Sequence, residues 1–592
     1  MIIKHGFIVN NKVYLEDKPK DLESKITIKK EGFVTTREDV VKVSSPQTID
    51  YKELIVIKDY YGIIKYYISG WCKEFTVKNW TVRNKPLEIF SYGRTTESAY
   101  PYLFMNNREE YMALNLLPKG DWSIKCYMRN TDLYIEIGRD NTRTFKGSTP
   151  VALDIFMVSG DTPNEVYIRQ QKYVKKHFFK NYPIPMSYNT WLDEFYHLNW
   201  NNLIKQIDTQ AEFGCETFTV DAGWFGTMPM WTEIGNWTEK ENLFGNGKTL
   251  KDLADYVRSK GMKFGIWMEV MKIHKDAPLR VKNPELFVEV EGFDPKINPY
   301  YHYDFNNPKA MDLMLNEVVR IIKKYDAKWL KIDNNSSRKR TENNPHVEET
   351  ENYFKFMEKL RKACPDLVIE NCASGALTGD IWTMSHYNTS FPCDMVYANE
   401  LIRIQKEACK VYPPCFINNW CCLHPTGNMW TIHGRARKDT KGIGLNPTCG
   451  AGSSVESFPI PYVFAVNFLG NLTLTGNFAD FLKEDKKLMK KLIDIYKEKK
   501  DFIMNAYYLE LESNGYSYML FNDDFSEVMI FVFAKDMVWP PTEKVKVNLD
   551  PLPKNINYKI VELITGKKEK IKKFYKNNFK PKEVRILSLI EK

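Results

Sequence analysis

Residues Ala327 to Asn335 read AKWLKIDNN, an apolar run that ends in charged and polar residues. The pattern is typical of a buried β-strand, in which alternate side chains lie on one face. Trp329, Lys331 and Asp333 would then share a face, with a cation and a carboxylate at the C-terminal end of the strand. By itself such a pair fits a solvated strand end as well as a reaction centre.

Three other apolar runs end in the same way, which favours the reaction centre. TFTVD ends at Asp221, MKFGIWME ends at Glu269, and LVIENCASG continues into Asn371, Cys372 and Ser374. The carboxyl ends of parallel strands meet at one rim of a barrel. The sequence therefore predicts a single site at that rim.

Strand and helix patterns alternate from about 185 to 505. Examples are ETFTVD, then the helical LKDLADYVRSK, then MKFGIWME, and later KAMDLMLNEVVRIIKKY before AKWLKID. This alternation predicts right-handed parallel units, and about eight of them fit the length, as in a (β/α)8 TIM barrel. A doubly wound sheet is the alternative, but no GxGxxG follows the first strand.

The flanking segments read as short strands separated by turns. We predict an α/β protein with an N-terminal antiparallel β-domain (1–170), a (β/α)8 catalytic barrel (171–505) and a C-terminal β-sandwich (506–592). A helix opened by Thr162 and Pro163 connects the first two. The aromatic stretch from Thr95 to Trp122 is expected to pack on the barrel rather than to touch a ligand.

Composition excludes several classes of partner. The 592 residues carry 84 basic and 75 acidic side chains, scattered rather than blocked, so we expect no nucleic-acid binding. No apolar run is long enough for a signal peptide or a membrane span, so no membrane partner is expected. The eleven cysteines form no CxxC pair, which fits reduced thiols and a cytoplasmic location.

The residue types at the strand ends indicate a sugar-binding pocket. Carboxylates followed by aromatic loops are typical of sites for an uncharged, polyhydroxylated ligand. The nine histidines form no HxH or HExxH motif, so neither a metal nor another cofactor is expected. Hydrolysis of a glycosidic bond needs two carboxyl groups, and Asp333 is the first candidate.

KWLKIDNN resembles the nucleophile strand of the α-galactosidase (melibiase) group, glycoside hydrolase family 36 of clan D. Other segments are similar to family motifs in the same order: VDAGWFG to DDGWFG, GNW to GDW, KGMKFGIWME to GMKFGLWIEPE, IENCASG to ESCSSGG, and IRIQKEACKVYPP to LKIQYGTSLVYPP. The resemblance spans about 185 to 505, and it implies the barrel with its two flanking β-domains.

The resemblance implies a retaining double displacement. Asp333 would attack the anomeric carbon, and Asp394 would serve as acid and then base. Asp380 and Asp304 are the rivals of Asp394. Lys331 would hold a sugar hydroxyl and keep Asp333 ionised, although a structural salt bridge is its alternative role.

The resemblance also assigns residues to substrate binding. Asp221 would accept a hydrogen bond from a hydroxyl near C4 or C6, and Cys372 and Gly375 would lie near the 2-position. Three tryptophans would form apolar walls for the sugar face: Trp191, Trp224 and Trp237. Asn189 and Glu269 are weaker candidates with a supporting role.

The implied activity is that of a retaining, exo-acting α-galactosidase that hydrolyses terminal α-galactosyl residues of oligosaccharides. Ala222 replaces the second Asp of DDGW, GALTGD lacks the glycines and arginine of GGGRFD, and Asp394 lacks the WTSDDTD context. An α-N-acetylgalactosaminidase or a β-L-arabinopyranosidase therefore stays open. A transglycosylase that uses the same intermediate stays open as well. An inactive sugar-binding barrel is the alternative from another functional class. The resemblance to the family also implies a homo-oligomer.

Overall fold

A computed structural model describes the chain except for residues 17, 18, 20, 21, 140, 141, 152, 181, 182, 227–232, 342–345, 426–440, 448–454, 536–541, 571 and 572. All candidate site residues lie within the described part. None of the helices in that part has the length and apolar content that a bilayer crossing requires.

The N-terminal segment forms two antiparallel sheets that enclose a core of aliphatic and aromatic side chains. One sheet has the order Lys12–Tyr14, Ile3–Val9, Tyr51–Ile57, Asp132–Gly138, Trp122–Arg129, Leu87–Ser91. The other runs Ser148–Pro150, Val34–Val43, Leu153–Gly160, Glu110–Pro118, Ala99–Asn107, Ile63–Ile68, Thr76–Thr81, with Leu22–Glu31 beside Val34–Val43. Gln47–Ile49 pairs with Arg143–Phe145.

Within the aromatic stretch from Thr95 to Trp122, the rings of Tyr100 and Trp122 are almost fully buried. The indole of Trp122 donates to the carbonyl of Thr95 at 2.7 Å. Tyr100 packs in the core that it shares with the barrel, as expected, whereas Trp122 packs inside the N-terminal core.

The helix Pro163–Phe178 leads from the sheets to the barrel. Its N-cap, Thr162, accepts a hydrogen bond from the Glu165 amide at 3.3 Å, so the predicted cap is present. Two buried glutamines on this helix reach other parts of the chain: Gln170 donates to the Val411 carbonyl at 2.8 Å, and Gln171 to the Tyr508 carbonyl at 2.9 Å. The helix thereby joins all three segments.

The predicted (β/α)8 barrel is confirmed by a parallel sheet within the described residues. Its strands in chain order, called barrel strands 1 to 8 below, are Ser187–Asn189, Thr217–Val220, Lys263–Met268, Ala327–Ile332, Val368–Asn371, Thr389–Ser390, Asn418–Cys422 and Asn471–Thr475. Strand 8 pairs with strands 7 and 1, and a bridge from Ser390 to Ile417 closes the gap between strands 6 and 7.

Helices and small sheets cover the barrel. The α-helices are Trp191–Glu194, Trp200–Phe213, Leu250–Ser259, Pro278–Lys282, Pro308–Tyr325, Val347–Ala363, Ile381–Met384, Ala398–Ala408, Ile460–Val466 and Lys483–Asn505. Short 3₁₀ turns span Pro284–Leu286 and Pro414–Phe416. Lys272–His274, Tyr300–Tyr303 and Phe287–Glu289 form a small sheet, and Ile443–Pro447 pairs with Val455–Pro459.

The C-terminal segment is a β-sandwich with its own apolar core, as predicted. One sheet has the order Tyr507–Glu510, Tyr516–Phe521, Glu527–Phe533, Val584–Glu591, Tyr558–Glu562, and Glu543–Asn548 pairs with Phe574–Phe579. The domain boundaries at 170/171 and 505/506 stay a prediction.

Candidate active site

A cavity of about 550 Å³ opens at the C-terminal ends of the barrel strands. It lies where the sequence placed the site, because the strands end in the polar residues that line it. The lining residues are Trp71, Arg94, Glu97, Trp191, Leu192, Asp221, Ala222, Trp267, Lys272, Lys331, Asp333, Asn335, Cys372, Ser374, Leu377, Phe391, Asp394 and Trp420.

Asp333 follows barrel strand 4 and is 8% exposed. Its Oδ1 accepts hydrogen bonds from two backbone amides, those of Asn334 at 2.9 Å and Ser374 at 3.3 Å. Its Oδ2 accepts one longer bond, from the indole of Trp267 at 3.2 Å. Three N–H donors thus face this carboxyl in these contacts.

Asp394 lies in the loop after barrel strand 6, and its surroundings differ from those of Asp333. Its Oδ2 accepts a 2.6 Å hydrogen bond from the indole of Trp71, which belongs to the N-terminal segment. Burial raises the pKa of Asp394 to about 6; the Trp71 bond opposes this shift, and the negative charge of Asp333 adds to it. Asp333 and Asp394 therefore line one cavity in different surroundings.

Lys331 and Asp221 form a buried ion pair on the cavity wall. The ammonium donates to Asp221 Oδ2 at 3.0 Å and lies 4.4 Å from the centre of the Trp420 ring. Nearby carboxylates, chiefly Asp221, raise the pKa of Lys331 despite its burial. The side-chain amide of Asn189 also donates to Asp221 Oδ2, at 2.8 Å, and the side-chain oxygen of Asn189 accepts from the backbone amide of Trp191. Asn189 thus orients Asp221 from behind the wall.

Only one of the three predicted tryptophan walls lines the cavity. Trp191 is half-buried and lies on the lining, whereas Trp224 and Trp237 are fully buried and stack on each other at 6.1 Å. The Trp224 indole donates to the carbonyl of Trp267 at 3.0 Å, so Trp224 supports the wall from outside. The further aromatic lining residues are Trp71, Trp267, Phe391 and Trp420.

The loop after barrel strand 5 brings Cys372 to the lining and places Gly375 beside the Asp394 loop. Burial raises the pKa of the Cys372 thiol, which keeps it uncharged. Gly375 has φ +86°, and a Cβ there would lie 2.8 Å from the Asp394 amide nitrogen. Glycine is therefore required where the two loops cross.

Glu269 is fully buried and lies behind the lining. Its carboxylate accepts two hydrogen bonds from Asn335, one from the amide at 2.8 Å and one from the side chain at 3.2 Å. Burial raises the pKa of Glu269, and the charge of Asp333 contributes to the same direction. Glu269 thus holds Asn335, which does line the cavity.

The two rivals of Asp394 lie outside the cavity lining. Asp380 caps the helix Ile381–Met384 by accepting from the Thr383 amide at 3.0 Å. Asp304 accepts from Arg338 at 3.1 Å. Both carboxylates therefore have structural partners, and of the three candidates Asp394 is the one that lines this cavity.

Sequence reasoning missed the contribution of the N-terminal segment and of one lysine. Trp71, Arg94 and Glu97 reach the cavity across more than two hundred residues of chain, which no local motif signals. Arg94 donates to the Asn334 carbonyl at 3.1 Å and is also paired with Glu97. Lys272 lies 3.9 Å from Glu269 and 4.1 Å from the centre of the Tyr300 ring.

Nothing in the described cavity suits a metal ion. No group of three or more His, Cys, Asp or Glu side chains within the described ranges is arranged to hold one. The charged residues of the lining instead form cation and carboxylate pairs around the two separate carboxyls, Asp333 and Asp394. Such an arrangement can perform acid, base and nucleophilic chemistry on a neutral ligand.

Residues 148–437 match the family model described as Melibiase. An α-galactosidase of Escherichia coli is 26% identical over 235 residues, which is 39% of this chain and 33% of that protein. Alpha-galactosidase 1 of Pediococcus pentosaceus is 24% identical over 398 residues, which is 64% of this chain and 50% of that protein. The aligned regions thus span between about a third and a half of these relatives.

Solved structures share the whole architecture. The galactosidase domain of an α-galactosidase-sucrose kinase, AgaSK, superposes with a TM-score of 0.78 at 15% identity and covers 99% of this chain and 85% of that one. The family 36 α-galactosidase AgaA of Geobacillus stearothermophilus gives 0.77 at 15% identity, covering 99% and 89%. The resemblance of this chain to the α-galactosidase group of glycoside hydrolase family 36 is thereby confirmed.

Proposed function

We propose that this protein is a retaining, exo-acting α-galactosidase that hydrolyses terminal α-galactosyl residues of oligosaccharides. The observation that carries the proposal is the presence of Asp333 and Asp394 on one cavity in opposite electrostatic settings. Asp333 accepts three hydrogen bonds from N–H groups, whereas burial favours the protonated form of Asp394. A retaining mechanism needs an ionised nucleophile and a protonated acid at its start, and we assign these roles to Asp333 and Asp394 respectively.

In the first step, an oxygen of Asp333 attacks the anomeric carbon while the bond to the leaving oxygen breaks. Oδ2 is the better placed oxygen, because it has a single 3.2 Å partner whereas Oδ1 has two amide partners. Asp394 gives its proton to the leaving oxygen. The products are a glycosyl-enzyme on Asp333, a free aglycone and an ionised Asp394.

In the second step, Asp394 accepts a proton from water, whose oxygen attacks the anomeric carbon from the side that the aglycone left. The bond to Asp333 breaks, and both carboxyls return to their initial states. Two inversions give net retention of the α-anomer. A sugar hydroxyl in place of water would give transglycosylation by the same route.

Substrate binding is assigned to the inner wall of the cavity. Asp221 is held by Lys331 and Asn189, so its oxygens are fixed for hydrogen bonds to sugar hydroxyls. Trp191, Trp267 and Trp420 supply flat apolar surface for the sugar ring. The interior of a TIM barrel is filled by side chains, so a cavity at its rim has a closed inner end, which supports exo action on a terminal residue.

We propose oligosaccharides as substrates because structurally similar proteins bind them. Variants of AgaA have been solved in complex with stachyose and with raffinose. A cytoplasmic location and a homo-oligomeric state remain part of the proposal. The described cysteines form no disulfide with one another, which supports a reducing compartment.

An α-N-acetylgalactosaminidase or a β-L-arabinopyranosidase is the second candidate. Ala222 favours the arabinopyranosidase, because arabinopyranose lacks the hydroxymethyl group at C6, whereas N-acetylgalactosamine keeps it. Ala222 belongs to the cavity lining, next to Asp221. A methyl group cannot accept a hydrogen bond from a galactose hydroxyl, so galactose loses one contact there.

The test is a rate comparison on aryl α-galactoside, aryl α-N-acetylgalactosaminide and aryl β-L-arabinopyranoside, with Asp333→Ala as the blank. We expect the galactoside to be fastest and the blank to be inactive. Proton NMR of the first product formed should show the α-anomer. Preference for another sugar would keep the mechanism and change the specificity, and inactivity on all three would favour a sugar-binding barrel.

A further inference from the structure

We propose that Trp71 is a positioning residue for the acid/base carboxyl: its indole N–H occupies Oδ2 of Asp394, so that the transferable proton is carried on Oδ1. The N-terminal β-domain would then be part of the catalytic unit rather than only a support. The inference rests on the proposed function, because it takes Asp394 as the acid and base of a glycosidase.

The contact itself is short and directional. The indole nitrogen of Trp71 lies 2.6 Å from Asp394 Oδ2, although 323 positions separate the two residues in the chain. Both side chains line the catalytic cavity, and Trp71 is 50% exposed. A tryptophan that merely packed would bury its ring, as Trp122 does in the same domain. Half of Trp71 instead stays exposed while its one polar atom meets the carboxyl.

The loop that carries Trp71 is tied to the Asp394 loop by further contacts. The buried Glu74 accepts a hydrogen bond from the thiol of Cys393 at 2.7 Å. Arg403, on the helix that follows Asp394, donates to the carbonyl of Glu74 at 3.1 Å. The Trp71 contact is therefore supported by further hydrogen bonds between the two regions.

The chemistry of the indole fixes where the proton goes. An indole N–H only donates, so Oδ2 must present a lone pair in both protonation states. The carbonyl oxygen of a neutral carboxyl is a stronger acceptor than its hydroxyl oxygen, so the indole favours the form with the proton on Oδ1. Donation to a carboxylate also favours the ionised form, which Asp394 needs when it acts as base in the second step. Trp71 would thus serve the acid and the base roles together.

Other charged and titratable groups face Asp394 and set its proton affinity with Trp71. From the barrel, Asp333 and Asp221 raise its pKa, and Lys331 lowers it. Cys372 and Glu74 also lie close enough for their own pKa values to respond to Asp394. Arg94, Glu97 and Lys272 line the same cavity. Each of these groups is unchanged when Trp71 is replaced, so a shift on replacement reports the indole.

The experiment compares Trp71→Phe, which keeps an aromatic ring and removes the N–H, with Tyr61→Phe as the matched control. Tyr61 is an exposed aromatic residue of the same domain and is absent from the cavity lining. The measurements are the pH dependence of kcat/KM on aryl α-galactosides with good and poor leaving groups, and circular dichroism to establish that each variant is folded.

For Trp71→Phe we expect the alkaline limb of kcat/KM to move up by about one pH unit, the size of one hydrogen bond to a charged group. The poor leaving group should lose about tenfold in rate, and the good one much less, because only the poor one needs the proton. Tyr61→Phe should change neither. An unmoved limb with equal losses for both leaving groups would overturn the inference and leave Trp71 as a wall.

An infrared titration of the carboxyl band that Asp394→Asn removes gives a readout without turnover. It should show the same upward shift in Trp71→Phe even if the enzyme prefers another sugar. No shift in that band would overturn the inference. If the wild-type protein were inactive but the band still shifted in Trp71→Phe, the proposed function would be rejected, whereas the effect of Trp71 on Asp394 would stand.

Discussion

Lys331 donates a 3.0 Å hydrogen bond to Asp221, and this contact joins the ends of barrel strands 2 and 4 inside the cavity wall. Both residues are nearly fully buried, at 3% and 2% exposure. Removing one partner of a buried pair leaves the other charge without compensation. The pair therefore has a structural role, and both residues also line the cavity, so the salt-bridge role and the proposed sugar-binding role of Lys331 are compatible.

Lys331→Met should lower the free energy of unfolding by about 3 to 5 kcal/mol, because it leaves Asp221 buried and unpaired. Activity should fall by at least about a hundredfold, since Asp221 loses its fixed orientation. Chemical denaturation and kcat/KM measure the two effects. The double variant Lys331→Met with Asp221→Asn should regain much of the stability but not the activity. Recovery of both would limit the pair to a structural role.

The proton affinity of Asp394 predicts a pH dependence. Its pKa is raised to about 6 by burial, so the acid form needed for the first step is present below that pH and is lost above it. On a substrate with a poor leaving group, kcat/KM should fall about tenfold per pH unit above the limb near pH 6. In Asp394→Ala that limb should vanish, and azide should restore turnover of an activated substrate because it needs no base. If the fall of kcat/KM near pH 6 persisted in Asp394→Ala, another group would be responsible for it.

The barrel and the position of its site could be predicted because they depend on short-range patterns. AKWLKID, TFTVD and MKFGIWME each show a strand and its polar end within nine residues, and parallel pairing brings those ends together. Asp221, Lys331 and Asp333 accordingly lie on one cavity. Asp394 also lines it, although its place came from a resemblance rather than from a pattern.

The rest of the site depends on contacts that no local pattern contains. Trp71 meets Asp394 across 323 positions of chain, through the packing of two domains. Trp224 follows Asp221 closely, yet the turn between them aims its ring into the core, where it stacks on Trp237. Strand periodicity ends where the turn begins, so the sequence could not tell a wall tryptophan from a core one.

Trp191 and Trp224 should therefore respond differently to replacement by leucine. Trp224→Leu removes a fully buried ring and should cost about 3 kcal/mol or more of unfolding free energy. Trp191→Leu removes a half-buried ring from the lining, so it should raise KM while stability falls by less. Thermal denaturation and KM on an aryl α-galactoside measure both. If Trp224→Leu raised KM more than Trp191→Leu and left stability unchanged, Trp224 would have to contact the substrate.

Comparing Gly375→Ala with Gly261→Ala should distinguish a steric clash where two loops cross from the conformational cost of a positive φ alone. Gly375 has φ +86°, and an added Cβ would lie 2.8 Å from the Asp394 nitrogen and 3.1 Å from Cys393 Cα, neither of which is a flexible side-chain end. Gly261 has a similar φ of +82° with nothing within 4 Å, so Gly261→Ala carries only the conformational cost of about 1 kcal/mol. We expect Gly375→Ala to lose clearly more stability and, because Asp394 must move, at least about tenfold in kcat/KM. Equal stability losses in the two variants, with activity retained in both, would show that the loop crossing tolerates a side chain and that Asp394 does not depend on it.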